Sequence, residues 1–214
     1  MPGAEQSLAA LGVRYPALDA VLPAVRDAFD LLAGAFRAGG KLLVCGNGGS
    51  AADADHIAAE LMKGMSKRRR LPHEASRQLR AALPPELADY LGGHLEPSLP
   101  AVSLVGAASL ISAVANDTAP DMVFAQQVHG YGRPGDVLWV ISTSGRSRTT
   151  VLAAAVARAD GLRVLALTGR DPAAVGELAD VCVAVPADDT AEVQELHRPV
   201  YHALCQALEH ELME

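Results

Sequence analysis

The chain has 214 residues, half of them apolar, and a formal net charge of −7 at neutral pH. That length buries a full core and fits one domain spanning 1–214, and the acidic balance weighs against non-specific nucleic-acid binding. No apolar run approaches the roughly 20 residues of a membrane span, and no basic stretch precedes a hydrophobic one at the start, so neither membrane nor signal peptide is expected and a cytoplasmic location is.

Taken in chain order, Leu8 to Arg37 carries apolar residues at helical spacing (Val21, Val25, Phe29, Leu32, Phe36), and Pro16 and Pro23 are expected to divide it into two helices within residues 1–40. The first of these is a candidate to pack on a neighbouring subunit. Strands are predicted at Leu42–Cys45, Ala101–Val105, Val137–Ser142, Val164–Thr168 and Val181–Val185. Helices are predicted from Ala51, over Thr149–Ala159 and Pro172–Ala179, and along Thr190–Leu212. Strands alternating with helices predict an α/β fold with a parallel sheet covered on both faces. Residues 67–100 interrupt that rhythm, opening on Lys67-Arg68-Arg69-Arg70 and carrying five prolines. Glu74–Leu83 and Glu86–Leu91 are expected as short helices there. The segment reads either as a lid, binding loop or assembly element or as a solvated excursion, and its basic run as a solvated turn, with a second phosphate contact from a neighbouring chain as the alternative. Cys45, Cys182 and Cys205 are widely spaced in apolar segments and read as reduced core cysteines.

Two loops stand at strand ends. Cys45-Gly46-Asn47-Gly48-Gly49-Ser50 is a glycine-rich strand-to-helix turn, where a ligand can approach bare backbone and unpaired helix N–H groups. Ser142-Thr143-Ser144-Gly145-Arg146-Ser147 offers short hydroxyls and exposed amides suited to a phosphate dianion; such a turn also caps helices, as Ser147 would. Thr168-Gly169-Arg170-Asp171 reads as a plain turn, and Asn116-Asp117 as a helix cap or as a pair orienting a ligand hydroxyl.

His56 and Glu60 lie one turn apart on the helix that follows the glycine loop, with Asp53 on much the same stripe and Ser50-x-x-Asp53 fitting a capping box. The spacing suits a solvated face as well as a site. In the last helix Gln194 and His202 are two turns apart on approximately one side, Pro199 is expected to weaken the helix, and His202 by itself also fits a core histidine. His197 has no evident partner, and His73, His94, His129 and His210 read as surface or structural.

Together, Cys-Gly-Asn-Gly-Gly-Ser, Ala-Asn-Asp, Ile-Ser-Thr-Ser-Gly-x-Ser, Leu-Thr-Gly and Gln-Glu-x-His-x-x-x-x-His make the chain resemble the sugar isomerase (SIS) domain family, and within it the sedoheptulose 7-phosphate isomerases. The similarity runs from Lys41 to the C-terminus, apart from the insertion. It implies a five-stranded parallel sheet flanked by helices, a flavodoxin-like, Rossmann-like three-layer sandwich, in a homotetramer with active sites between subunits. The resemblance assigns Asn47, Gly48, Gly49 and Ser50 to the sugar loop, Asn116 and Asp117 to hydroxyl orientation, and Ser142, Thr143, Ser144 and Ser147 to the phosphate cradle. It makes Glu60 the base and His202 its acid partner, with Gln194 also at the substrate. His56, Glu60, Gln194 and His202 match the zinc ligands of some members, implying one Zn2+ per subunit and no nucleotide cofactor.

The activity so implied is aldose–ketose isomerisation of sedoheptulose 7-phosphate to a glycero-manno-heptose 7-phosphate through an enediol or enediolate, feeding nucleotide-heptose synthesis. A longer ketose phosphate, such as an octulose 8-phosphate, is the enzymatic alternative, because the insertion leaves substrate length open. A non-catalytic sugar-phosphate or protein-binding module of the DnaA initiator-associating type is the other; that protein shares the loops but lacks the acid/base pair retained here.

Overall fold

A computed structural model describes residues 3–66 and 68–213; Met1, Pro2, Glu214 and Lys67, the first residue of the insertion, lie outside the described residues. Strands β1 (Leu42–Gly46), β2 (Ala101–Ser103), β3 (Val137–Ser142), β4 (Arg163–Thr168) and β5 (Val181–Ala184) pair in parallel in the order β2-β1-β3-β4-β5. The cause is visible in the side chains. Alternate residues point to opposite faces of a strand, and in β1 Leu42 and Val44 enter one apolar core while Leu43 and Cys45 enter another. In β3, Val137, Trp139 and Ile141 enter the first core, and Leu138 and Val140 the second. A strand apolar on both faces is stable only when both are covered, which selects the three-layer arrangement.

The first face carries α1 (Ala4–Arg14), a 3-10 segment (Pro16–Val21), α2 (Leu22–Arg37), α3 (Gly49–Met62) and α10 (Thr190–Leu212). Helices α6 (Ala108–Asp117), α7 (Val123–Tyr131), α8 (Arg148–Ala159) and α9 (Ala173–Leu178) cover the second. Pro16 separates α1 from α2 as expected, but Pro23 sits in the first turn of α2, where its missing N–H costs no helix bond. Helix α1, a candidate for a neighbouring subunit, lies on α10 of its own chain: Leu8 and Leu11 join that core, and Ser7 Oγ meets His210 Nδ1 at 3.0 Å. His210 is therefore buried and structural.

The insertion contributes α4 (His73–Ala82) and α5 (Pro85–His94), which pack on each other; α4 has no buried residue among those described. All three cysteines are free, Cys45 and Cys205 buried in the core and Cys182 half-buried on edge strand β5. Pro199 lies within α10, which continues unbroken to Leu212.

Candidate active site

Strands β1 and β3 are neighbours whose chains leave in opposite directions, β1 through α3 to β2 and β3 through α8 to β4. Such a reversal opens a crevice beyond the strand ends, and both candidate loops sit there. Gly48 adopts φ +56° and precedes α3 without a side-chain cap. Because α3 already begins at Gly49, Ser50 is a buried helical residue and the expected Ser50–Asp53 capping box does not form. The Asp53 carboxylate instead accepts the buried Tyr201 hydroxyl at 3.1 Å, and burial raises its pKa while that bond opposes the rise.

A Cβ at Gly49 would stand 2.6 Å from Gln194 Nε2, so only glycine lets the α10 amide rest on the loop. In the second loop Gly145 has φ +64°, and a Cβ there would meet the Pro172 carbonyl oxygen at 2.1 Å. Asn47 Nδ2 joins the loops, donating to Ser147 Oγ at 2.9 Å and Thr149 Oγ1 at 2.8 Å. Ser147 is the residue preceding α8, as expected, but its hydroxyl makes no cap bond. The Thr168–Asp171 turn proves more than punctuation, since Gly169 N donates to the Thr143 carbonyl at 3.1 Å and holds the serine loop from behind.

Between the loops lies a cavity of about 300 Å³. Asn47, Gly48, Gly49 and Ser50 line it from one side and Ser142, Thr143, Ser144 and Ser147 from the other, with Gln194 over them. Thr190 also lines it and was not singled out from sequence; Asp189, which caps α10 through the amides of Ala191 and Glu192, was the local signal. Asn116 and Asp117 end α6, exposed and bonded to each other at 2.7 Å, and are not among the lining residues.

The ionisable residues gather elsewhere on the same two helices. His56 Nε2 meets Glu60 Oε1 at 2.9 Å, and His202 Nε2 stands 3.5 Å from that oxygen. Donor atoms of His56, Glu60 and His202 all lie within 4.8 Å of one another. Glu60 Oε2 and His202 Nε2 are buried without a hydrogen-bond partner among the described residues. Two nitrogens and a carboxylate oxygen around unpaired atoms fit a divalent cation such as zinc. The Tyr201 ring packs edge-on to His202, centroids 4.7 Å apart, and tilted to His56 at 5.7 Å. Burial lowers the His202 pKa and the adjacent Glu60 opposes it. Cys205, one turn on, is raised well above the usual thiol value by burial and by its contact with Glu60.

Glu60 and His202 do not line the loop cavity of this chain; eleven residues of α3, roughly 16 Å, separate Glu60 from Gly49. Between Gln194 and His202 on α10 lies His197, fully buried, whose pKa burial pushes down to about 4 against a weak contact with the Thr168 backbone.

This parallel α/β sheet, with glycine and serine loops at its reversal point, is an SIS domain: the model of that family matches residues 18–92 and 87–169, and the chain belongs to it. Over nearly its whole length it is similar to phosphoheptose isomerases. That of Thiobacillus denitrificans is 39% identical over 199 residues, 92% of this chain and 87% of the relative, and that of Akkermansia muciniphila is 41% identical over 176 residues, 82% and 79%. Among solved structures, the phosphoheptose isomerase GmhA of Neisseria gonorrhoeae superposes with a TM-score of 0.69 at 34% identity, covering 88% of this chain and 87% of its own. The enzyme from Francisella tularensis gives 0.73 at 29%, covering 96% and 94%. No helix among the described residues is long and apolar enough to cross a membrane.

Proposed function

We propose that this chain is a phosphoheptose isomerase that interconverts sedoheptulose 7-phosphate and D-glycero-D-manno-heptose 7-phosphate in the cytoplasm, supplying nucleotide-heptose synthesis. It works as one SIS domain with the α4–α5 hairpin as an insertion. The observation that carries the reading is the approach of Glu60 and His202, from helices far apart in the sequence, to 3.5 Å. An isomerase needs a base at a C–H bond and a second group that moves protons between neighbouring oxygens.

In the ketose-to-aldose direction, Glu60 removes a C1 proton, leaving an enediolate whose charge spreads onto the C2 oxygen. His202, whose pKa burial lowers while Glu60 opposes the shift, passes protons between the C1 and C2 oxygens. Glu60 then returns its proton to C2. Ser142, Thr143, Ser144 and Ser147 with neighbouring amides hold the phosphate, while Asn47, Gly48, Gly49 and Ser50 align the chain carbons, so that orientation and not affinity alone lowers the barrier. Asn116 and Asp117, which do not line this chain's cavity, are assigned to substrate hydroxyls by the family resemblance alone.

His56, Glu60 and His202 would hold one zinc ion per subunit; Gln194, the fourth donor that the family resemblance implies, stands over the loop cavity in this chain and would have to reach the ion from a neighbouring copy. A bound zinc ion supplies Lewis-acid polarisation of the carbonyl oxygen, while coordination lowers the basicity of Glu60. Metal analysis of the purified protein, with activity measured before and after chelation, tests this; metal-free protein at full activity removes the ion from the reading.

We also assign the chain to a homotetramer whose active sites form between subunits. The distance along α3 between cavity and cluster supports this, because a second copy can bring one chain's cradle to another's Glu60 and His202. Mixing Glu60→Gln, inactive alone, with Ser144→Ala/Ser147→Ala, weak alone at substrate well below KM, should then raise turnover at low substrate above that of either parent; no recovery in mixed tetramers refutes shared sites. For the reaction itself, purified protein is incubated with sedoheptulose 7-phosphate and aldose formation is followed. Absence of aldose would sink the assignment.

A further inference from the structure

Arg69 belongs to the basic run Lys67–Arg70, which the sequence presents as a solvated turn. The structure corrects this reading at one residue. Arg69 is only 2% exposed, and its guanidinium spends its donors on four partners. Nε donates to Glu209 Oε1 at 3.0 Å, Nη1 to the carbonyl oxygens of Leu61 at 2.9 Å and Pro97 at 3.1 Å, and Nη2 to that of Glu60 at 3.3 Å. Glu209, fully buried, also accepts the amides of Met65 and Ser66, each at 2.9 Å, and the Ser66 hydroxyl. Burial alone would raise its pKa, but these bonds and Arg69 hold it low. Glu96 completes the knot, accepting the amides of Gly64 and Arg69 at 3.0 Å each.

One buried ion pair thus gathers the C-terminal turn of α3, both roots of the insertion and the last turns of α10. The carbonyl of Glu60 itself is one of its ligands. Glu209 lies seven residues beyond His202, two turns along nearly the same face of α10. From this geometry we infer that Arg69 and Glu209 are positioning residues, fixing α3 against α10 so that the Glu60 carboxylate and the His202 imidazole face each other across one substrate. Stability alone is a poor reason for such a pair, since well-packed apolar residues stabilise a core as well or better. An apolar pair cannot hold two carbonyl oxygens at the end of α3 together with that of Pro97 at the return root of the insertion; a guanidinium can.

The inference rests on the isomerase reading, so the test has an arm that does not need turnover. Arg69→Met/Glu209→Met removes both charges together and keeps the volume. Arg69→Lys, which keeps the charge but lacks the planar fork of donors, runs beside it and serves the same comparison where the double variant does not fold. We expect folded protein with KM for sedoheptulose 7-phosphate within about twofold, because the cradle is untouched, and kcat lower by about 10- to 100-fold, the scale of a misplacement near 1 Å. Arg69→Lys should fall between the double variant and the wild type. Crystal structures of the variants should show the Glu60–His202 gap widened. A folded variant with unchanged gap and unchanged kcat overturns the inference, as does a loss in which KM rises and kcat holds. Wild-type protein that fails to isomerise the ketose phosphate sinks the isomerase reading alone, and the gap in the variants still decides the role of the clamp.

Discussion

Of the two halves of the site, the loop cavity is built from backbone and short hydroxyls, whereas the α3–α10 cluster is built from long side chains brought together by packing. In the cavity, each donor is fixed by a turn a few residues long, and Asn47 ties the two turns with bonds of 2.9 and 2.8 Å. In the cluster, no local rule places His202 near Glu60; the seating of α10 over α3 does. The first half therefore suits grip on a constant group, and the second suits chemistry that a small displacement abolishes. Substitutions should separate accordingly, the cavity moving KM and the cluster moving kcat.

The largest break is expected at the proposed base. Glu60→Gln keeps the shape and removes the proton acceptor, and kcat should fall by about a thousandfold or more, within the usual span for general acid–base groups and beyond. KM should change little, and circular dichroism and melting temperature should match the wild type. A variant with kcat near normal would move the chemistry out of the α3–α10 cluster altogether.

Acid should break both halves together, because α10 carries Gln194 to the cavity and His202 to the cluster, with His197 buried between them. Unfolded, His197 titrates near its usual 6.5; folded, it does so at about 4, so the unfolded chain binds the extra proton between those values. Its contribution to stability is complete above about 6.5 and is lost as pH falls toward 4, by about 3 kcal/mol in all. Urea titrations between pH 4.5 and 7 on wild type and His197→Phe measure this. The substitution should flatten the pH slope, and an unchanged slope assigns it to other groups.

The two halves were not equally legible in the sequence. The central strands could be read because they are apolar on both faces, and the loops because glycine and serine cluster where each strand ends. Edge strand β2 was read two residues too long: it pairs on one side only, and pairing ends at Ser103 although Leu104 N still donates to the Val44 carbonyl at 2.9 Å. The capping box failed because Gly48, at positive φ, starts α3 one residue before Ser50. His56, Glu60 and His202 were recognisable as a set through family resemblance, since helical spacing alone allows a solvated face. Arg69 was beyond reach. Which cation of a basic run turns inward is decided by Glu209, 140 residues away, and nothing local marks it.

A smaller and more selective effect is expected in the cradle. Ser144→Ala/Ser147→Ala removes two hydroxyls from the cavity and, at Ser147, the acceptor for Asn47. Backbone amides remain, so KM should rise about tenfold, equivalent to about 1.4 kcal/mol, with kcat nearly constant. Inorganic phosphate, tested as a competitive inhibitor, should weaken in parallel. If kcat falls instead and KM holds, the serines act on the reacting carbons and the division between grip and chemistry is misplaced.

Tyr201 stands at the boundary of that division, its ring against His56 and His202 and its hydroxyl on Asp53. Burial raises the phenol to about 12 and the Asp53 charge adds to the rise, so the hydroxyl stays protonated through the working pH range and cannot readily act as a base. Its evident work is to satisfy a buried carboxylate and brace the imidazoles. Tyr201→Phe keeps the ring and deletes only the bond. The cost should be about 1–3 kcal/mol, a few degrees in melting temperature for a chain of this length, with kcat within a few-fold of normal. A hundredfold loss of kcat at unchanged stability would place the phenol among the reacting groups, because a brace retains its ring contacts and a proton donor does not retain its proton.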